Sequence, residues 1–305
     1  MSYHEVFLLK KCPLCDSERT KPVKFEKNEF GSGVHEDVES FTGTWVTLLK
    51  CQDCSFAFSK EIPSDPDFFT KRYQFNFDPG FEYNANYKSS ILVQTFKLIE
   101  KYQPSKGKLL DLGSFGGNLM KFASEHGYEA EGVEVNKNMA EHCSKTLNMV
   151  VHNTKVQDFE GHAGEYDVIT LIDVLEHLFE PRGVIEAASK LLKPGGVLVI
   201  KVPHYGPQHF KQNIANFFGI SNRGIFHNFG HINLFSSRSL SKVISKCGLE
   251  PLECIVAESE MWGSDSLKFK LKNIIRTVVH TALEIFRKIT GLNLGLNITI
   301  IAKKN

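Results

Sequence analysis

Glycine residues follow an apolar, strand-like segment near the middle of the chain. Lys108–Leu112 reads as a buried strand, the turn Gly113–Gly117 follows it, and a helix is predicted to begin after the turn. Glycine has no Cβ and accepts positive φ, so such a turn lets a backbone approach a ligand closely. About twenty residues later a second strand-like segment contains Glu134, and a carboxylate at the tip of that strand suits the paired hydroxyls of a ribose.

Four of the seven cysteines form two Cys-x-x-Cys pairs, Cys12 with Cys15 and Cys51 with Cys54. Four thiolates held at two tight turns give the tetrahedral ligand set that structural zinc prefers. The 35 residues between the pairs exceed the loop of a compact finger, and a redox pair or unrelated cysteines are the alternatives. Because there are two pairs, the sequence predicts a closed, structural Zn²⁺ site with no open position for catalysis.

Strands and helices alternate from residue 108 to about residue 203. The predicted strands are Lys108–Leu112, Ala130–Val135, Val168–Ile172 and Val197–Val202. This alternation predicts an α/β fold with a doubly wound, mostly parallel sheet. A helix, a strand and a closing strand are predicted after it, at Ser239–Cys247, Leu252–Val256 and Leu296–Ala302.

Four motifs occur in a fixed order: Asp111-Leu-Gly113, Glu134, Asp173-Val-Leu-Glu-His177 and Lys193-Pro-Gly-Gly196. In order and content the chain resembles the class I S-adenosylmethionine-dependent methyltransferases. That resemblance implies a Rossmann-like sheet of seven strands, completed by an antiparallel pair. A dehydrogenase is the main alternative for such glycines, but its Gly-x-Gly-x-x-Gly pattern is absent.

The resemblance also implies roles for individual residues toward S-adenosylmethionine. Amides of the turn, at Gly113, Ser114 and Gly117, would hold the methionine tail, and Asp111 would position its amino group. Glu134 would accept both ribose hydroxyls, Asp158 would serve the adenine, and Asp173 would lie beside the transferable methyl group. Phe115 stands where the family turn has its middle glycine. That departure motivates one rival hypothesis, a non-enzymatic scaffold that has lost the cofactor.

Three histidines are candidates for a general base that removes a proton from the acceptor: His177, His204 and His231. In the fold that the chain resembles, the segment after the fifth strand overhangs the methyl group, and His204 and His231 belong to that segment. For each of them a hydrogen-bonding or exposed histidine is the alternative interpretation.

The acceptor is the least determined part of the prediction. The segment Leu48–Phe58 resembles the N-terminal ribbon of bacterial methyltransferases associated with sugar and surface-polysaccharide synthesis, which implies a small-molecule or glycan acceptor, a sugar or nucleotide sugar. Glu176-His177 and His231–Phe235 also resemble ubiquinone-type O-methyltransferases, whose substrates are lipid-like. A ribosomal-RNA enzyme is disfavoured, because residues 1–62 carry eight basic and ten acidic residues, whereas a ribbon that binds phosphates should be basic.

The predicted organisation is a zinc-ribbon-like module at residues 1–62, a linker and helical cap at 63–106, and the methyltransferase domain at 107–305. The domain includes a cap insertion at about 204–235 and an amphipathic helix at about 266–290. Seven apolar residues of that helix share one stripe, which is expected to pack on the sheet: Leu267, Leu271, Ile274, Val278, Ala282, Phe286 and Ile289. Contact of this helix with an anionic membrane surface or a partner protein is the alternative.

Composition sets broad limits on the class of protein. The net charge is +1, so no overall field attracts the chain to nucleic acid. No segment has 18 uninterrupted apolar residues, and the short apolar stretch near the start lacks the basic region of a signal peptide. Since the cysteines do not read as a disulfide framework, a reducing, cytoplasmic location is predicted.

Overall fold

A computed structural model of the protein describes residues 6–27, 45–65, 67–73, 89–219, 231–258 and 267–305. Within them the strands are β1 (Val6–Leu8), β2 (Thr20–Lys27), β3 (Trp45–Cys51), β4 (Ala57–Ser59), β5 (Glu61–Pro63), β6 (Lys108–Leu112), β7 (Glu129–Val133), β8 (Val150–His152), β9 (Tyr166–Ile172), β10 (Leu192–Pro203), β11 (Asn233–Leu234), β12 (Leu249–Val256) and β13 (Asn297–Lys304). The helices are α1 (Phe68–Tyr73), α2 (Ser89–Tyr102), α3 (Asn118–Glu125), α4 (Lys137–Thr146), α5 (Pro181–Leu191), α6 (Tyr205–Phe217), α7 (Ser237–Lys246) and α8 (Leu267–Thr290). Single turns of 3-10 helix lie at Val156–Asp158 and Leu175–His177.

Seven strands form the main sheet, in the order β12-β13-β10-β9-β6-β7-β8. β6 to β10 run parallel to one another, whereas β13 is antiparallel to both β10 and β12. The prediction of a mostly parallel, seven-stranded sheet completed by antiparallel strands is confirmed. Its central strands are apolar on both faces because helices cover both, and Leu109 and Leu110 are both fully buried.

The order of the strands reverses beside β6. The chain passes from β6 outward to β7 and β8, and then returns to place β9 on the other side of β6. In open α/β sheets, ligands bind at the carboxyl ends of the strands where the order reverses in this way. The topology therefore directs the search for a site to the segments that follow β6, β7 and β9.

The N-terminal module is joined to this domain through a shared sheet. β2, β3 and β4 form an antiparallel sheet, and β11, which follows β10 and α6 in the chain, pairs with the free edge of β4. Phe56 and Phe58 are fully buried in the same cluster as Phe235 and Leu240 of the domain. The proposed boundary near residue 62 therefore separates two parts of the sequence, but the two parts pack as one core.

Helix α8 lies where the sequence predicts a helix, but the predicted packing of its apolar stripe is wrong. Val278 and Ile289 on the stripe are 63% and 78% exposed, whereas Asn273, His280 and Arg287 on the opposite side are partly buried. Helical periodicity shows which side of a helix is apolar, but not which side contacts the domain. None of the described helices is long and apolar enough to cross a membrane.

Candidate active site

A cavity of about 260 Å³ lies at the carboxyl ends of β6, β7 and β9. Its walls come from the glycine turn after β6, the end of β7, the 3-10 turn after β8 and the segment after β9. Among the lining residues are Asp111, Gly113, Ser114, Glu134, Gln157, Asp173 and His177. The structure therefore brings together most of the residues predicted to bind a cofactor, at the point where the strand order reverses.

The glycine turn uses most of its own amides. Gly113 N and Ser114 N both donate to the carbonyl of Val133, at 2.8 and 3.0 Å, and Gly117 N donates to Ser114 O at 2.9 Å. The expectation that the turn leaves these amides available to a ligand is therefore wrong. At the carboxyl ends of the strands, backbone donors for a ligand come instead from the first turn of α3, whose amides have no acceptor within the helix.

Gly113 is required at its position for two independent reasons. Its φ is +85°, and a Cβ placed there would lie 2.6 Å from Cγ2 of Val174. We expect Gly113→Ala to lower the free energy of unfolding by about 2–3 kcal/mol through backbone strain and this overlap. Gly116→Ala is the matched control, because a Cβ there meets nothing within 4 Å and the φ is not positive. Urea unfolding of both variants measures the difference, and equal stabilities would contradict the argument.

Phe115 occupies the position that the resemblance assigns to a glycine, and its backbone explains why glycine is common there. Its φ is +47°, in the left-handed region that a residue with a Cβ rarely adopts. Its amide is not lost, because Phe115 N donates to Oε2 of Glu134 at 2.7 Å. The backbone amide at this position thus ties the turn to the carboxylate at the end of β7.

Glu134 is held as a rigid acceptor in the wall of the cavity. Its Oε1 accepts a hydrogen bond from Asn136 N at 2.7 Å, so each carboxylate oxygen is fixed by one backbone amide. The side chain is buried, and that desolvation raises the pKa of the carboxyl group above its ordinary value, although the backbone amides of Asn136, Phe115 and Val135 oppose the shift. Each oxygen retains a further lone pair, so the group can accept two more hydrogen bonds from a ligand.

Asp111 and Ser114 line the cavity with polar atoms that are out of contact with bulk solvent. Asp111 is buried at the end of β6, and its Oδ1 accepts a hydrogen bond from Thr170 Oγ1 at 2.6 Å. The hydroxyl of Ser114 is buried and has no hydrogen-bond partner among the described residues. Because a buried hydroxyl without a partner is costly, its presence beside the cavity fits a polar ligand that completes it.

Asp173 follows β9 and has a partner that the sequence did not suggest. Its Oδ1 lies 2.6 Å from Nζ of Lys201, which is only 3% exposed. The residue has a φ of +59°, and Asp173 N donates to Lys201 O at 3.0 Å. The carboxylate therefore lines the cavity with its orientation fixed by a buried cation from β10.

The three histidine candidates occupy different environments. His177 lines the cavity, and its ring lies 4.8 Å from the ring of His231, edge to face. One donor atom each of Glu176, His177 and His231 falls within 4.8 Å of the others. His204 is buried away from the cavity, where its Nδ1 contacts Gly295 O at 3.0 Å and burial lowers its pKa. His204 therefore does not line the cavity, and its position does not support the role of a base in contact with the acceptor.

Asp158 does not line the cavity either. It is exposed at the end of the 3-10 turn, whereas Val156 and Gln157 of the same turn face the cavity. The role proposed for Asp158 toward adenine is thus not supported by its position. Sequence reasoning also missed Lys201, although a single lysine inside the apolar strand Val197–Val202 is a signal for a buried carboxylate partner.

The four cysteines of the two Cys-x-x-Cys pairs converge on one point, with their sulfur atoms within 4.8 Å of one another. Two short sulfur–sulfur contacts join the two motifs, Cys12 with Cys54 at 3.5 Å and Cys15 with Cys51 at 3.6 Å. A tetrahedron with Zn–S bonds of about 2.3 Å has edges of about 3.8 Å, so the spacing fits zinc. A redox disulfide would instead join the two cysteines of one motif, whereas these short contacts run between the motifs.

The two cysteine turns have the same backbone. In the first, Cys12 N donates to Ser17 O at 2.9 Å and Asp16 has a φ of +60°. In the second, Cys51 N donates to Phe56 O at 2.8 Å and Ser55 has a φ of +65°. Two copies of one turn, each presenting two sulfur atoms, are the arrangement expected of a metal ribbon.

Comparison with known proteins identifies the larger domain. A protein-family model described as "Methyltransferase domain" matches residues 83–254, more than half of the chain. The chain belongs to this methyltransferase family. The match contains β6 to β11 and most of the residues that line the cavity, whereas the cysteine ribbon and α8 fall outside it.

Curated relatives of the methyltransferase domain are similar over part of their length. A ubiquinone biosynthesis O-methyltransferase of Psychrobacter cryohalolentis is 30% identical over 115 residues, 34% of this chain and 43% of that protein. One from Proteus mirabilis is 36% identical over 95 residues, 29% of this chain and 39% of that protein. The chain therefore spans less than half the length of these curated relatives.

Among solved structures, the 1,6-didemethyltoxoflavin-N1-methyltransferase of Burkholderia thailandensis, with bound 1,6-didemethyltoxoflavin and S-adenosylhomocysteine, has a TM-score of 0.53. The alignment covers 83% of this chain and 97% of that one at 12% identity. At this identity the likeness is one of fold, and it agrees with the seven-stranded sheet described above.

Proposed function

We propose that this protein transfers a methyl group from S-adenosylmethionine to a small-molecule or glycan acceptor. The observation that carries the proposal is Glu134, a buried carboxylate fixed by two backbone amides at the point where the strand order reverses. The residues present fit the cofactor, because the rigid acceptor suits a ribose diol and the hydroxyl of Ser114 lacks a partner. The family match over residues 83–254 supports the same conclusion.

Different residues around the cavity would bind the cofactor and accept the proton. Glu134 would accept the two ribose hydroxyls, and Asp111 with Ser114 and the first turn of α3 would hold the charged methionine tail. When bound, the cofactor supplies an electrophilic methyl group on a sulfonium sulfur. His177 would accept the proton of the acceptor. Asp173, fixed by Lys201, would orient the acceptor.

The acceptor that we propose first is a sugar or nucleotide sugar, on the resemblance of the cysteine ribbon to those of sugar-associated methyltransferases. A second candidate, O-methylation of a quinone-like or lipid-like compound, is favoured by a different observation. The curated relatives are named ubiquinone biosynthesis O-methyltransferases. The two acceptor classes differ in polarity, so a solvent partition separates them.

Labelled S-adenosylmethionine, added with a fractionated metabolite extract, tests the function. We expect the labelled product, separated from unreacted S-adenosylmethionine, in the aqueous fraction for a sugar and in the organic fraction for a lipid-like acceptor. We expect His177→Asn to lower the rate by about a hundredfold or more while cofactor affinity is kept. His162→Asn, an exposed histidine before β9 at the other edge of the sheet, is the control. No cofactor binding and no labelled product in either fraction would contradict the proposal.

We also propose a structural Zn²⁺ bound by Cys12, Cys15, Cys51 and Cys54. The sulfur spacing and the repeated turn support it. Three of the four cysteines are buried in the core, so the metal would have no open position for a substrate. Its contribution would be to the stability of the ribbon and to its attachment to the domain.

A further inference from the structure

Helix α8 presents an apolar side to solvent from Leu271 to Ile289. Eight large apolar side chains are 39–78% exposed: Leu271, Ile274, Ile275, Val278, Val279, Ile285, Phe286 and Ile289. At 100° per residue these positions fall on one face, centred near Val278. The partly buried residues of the helix lie on the opposite face. A continuous apolar surface of this kind marks an interaction site.

Polar contacts on the other face fix this orientation. Arg287 pairs with Glu284 at 2.9 Å and with Glu253 of β12 at 3.4 Å. His280 Nδ1 lies 3.2 Å from Glu258, and its Nε2 lies 3.1 Å from the carbonyl of Val256. A rotation of α8 that buried its apolar face would expose these groups and remove their partners. The apolar face is therefore a fixed property of the fold.

The charges on α8 show what kind of surface it fits. The helix carries six basic residues and one acidic residue, Glu284, in a chain whose net charge is +1. Lys270, Lys272 and Lys288 are exposed and lie along the two borders of the apolar face. The acidic residue is on the buried face, where it is paired with Arg287. Among the described residues of α8, basic side chains thus border the apolar face, and the helix itself carries no exposed acidic residue.

The apolar surface continues at the end of the main sheet where the cavity lies. Leu292 and Leu294, between α8 and β13, are exposed, and Leu296 O accepts hydrogen bonds from His204 N and Gln208 Nε2 at 2.8 and 2.9 Å. Helix α6 thus starts against this segment. It has no acidic residue, and its exposed apolar side chains are Phe210, Ile214 and Phe217.

We propose that α8 is an interfacial helix that binds the surface of an anionic membrane. Its apolar face would enter the boundary between headgroups and acyl chains, and its bordering lysines would contact anionic headgroups. A second copy of this chain fits less well, because a symmetric contact would bring the basic borders of the two helices against each other, and their repulsion would oppose association. Membrane binding of this kind does not depend on the methyl-transfer function.

Co-sedimentation of the full-length protein with vesicles tests the proposal. We expect binding to phosphatidylglycerol–phosphatidylcholine vesicles, weaker binding at high salt, and little binding to phosphatidylcholine alone. We expect Val278→Glu to lower the partition coefficient about tenfold or more, because it places a charge in the centre of the apolar face. Val150→Glu is the matched control, since Val150 is 59% exposed at the far edge of the main sheet, on β8.

Two results would overturn the proposal. One is wild-type protein that does not bind anionic vesicles, or a Val278→Glu variant that binds them as well as the wild type does. The other is a dimer, seen by light scattering, that Val278→Glu dissociates while vesicles are not bound, which would assign the face to a second copy. Cofactor affinity of Val278→Glu, measured by calorimetry, is expected to equal that of the wild type. A failure of membrane binding is thereby distinguished from a failure of the methyltransferase proposal.

Discussion

Replacing Glu134 is expected to remove most of the affinity for S-adenosylmethionine. The carboxylate is fixed by the amides of Phe115 and Asn136, so its free lone pairs are already oriented toward the cavity. A hydrogen bond to a charged acceptor contributes roughly 1.5–3 kcal/mol, and Glu134→Ala removes two of them. We expect a loss of about 3 kcal/mol, or about a hundredfold in dissociation constant by calorimetry. Glu129→Gln, on the exposed amino end of the same strand, is the control.

A ribose analogue separates loss of this contact from loss of structure. Wild-type protein should bind the 2′-deoxy form of S-adenosylhomocysteine more weakly than the parent compound, because Glu134 then lacks one of its partners. Glu134→Ala should bind the two compounds equally. If the variant still distinguishes them, the carboxylate does not contact the ribose. Because burial raises the pKa of Glu134, we also expect affinity to fall with acidification at a higher pH than for an ordinary glutamate.

The features that the sequence predicts well are those set by local pattern. Lys108–Leu112 is a strand in the structure with the predicted bounds, since an apolar run followed by glycines has few other outcomes. The position of Glu134 follows from it, because the end of a second parallel strand lies beside the end of the first. The two cysteine turns are similarly local, and each sets the direction of its own pair of sulfur atoms.

The features that failed depend on which distant groups meet. The amides of Gly113 and Ser114 are occupied by the carbonyl of Val133, a contact between two strands that no short motif encodes. His204 follows β10 as expected, yet its side chain turns to Gly295, 91 residues later in the chain. The direction that α8 faces depends on Glu253 and Val256 of β12. In each case the pattern identified the residue and the tertiary partner determined its role.

Removal of the proposed zinc is expected to have the largest effect on stability. Cys12, Cys51 and Cys54 are buried in the core cluster that also holds Phe56 and Phe235. Loss of the metal would leave thiols in that core without the cross-link between the two turns. In zinc-finger peptides a structural Zn²⁺ contributes about 10–16 kcal/mol, so even a fraction of that value exceeds the stability of many domains.

The metal content and the thermal transition of two variants test this expectation. We expect one zinc per chain in the wild type, and a large fall in both zinc content and melting temperature in Cys54→Ser. Cys247→Ser is the matched control, because Cys247 is a partly buried thiol beside the same core cluster but outside the zinc ligand set. Metal-free wild-type protein that melts like the native preparation would contradict a structural zinc.

A series of contacts also connects the ribbon to the active site, and these contacts predict how activity responds to zinc loss. β4 pairs with β11, and Asn233 of β11 donates from Nδ2 to Leu175 O at 3.0 Å, in the 3-10 turn that carries His177. Glu134 lies on the far side of the cavity, at the end of β7. Chelation under conditions that keep the main sheet folded should therefore lower the rate of methyl transfer more than the affinity for S-adenosylmethionine. An equal loss of both would mean that the ribbon acts only on global stability.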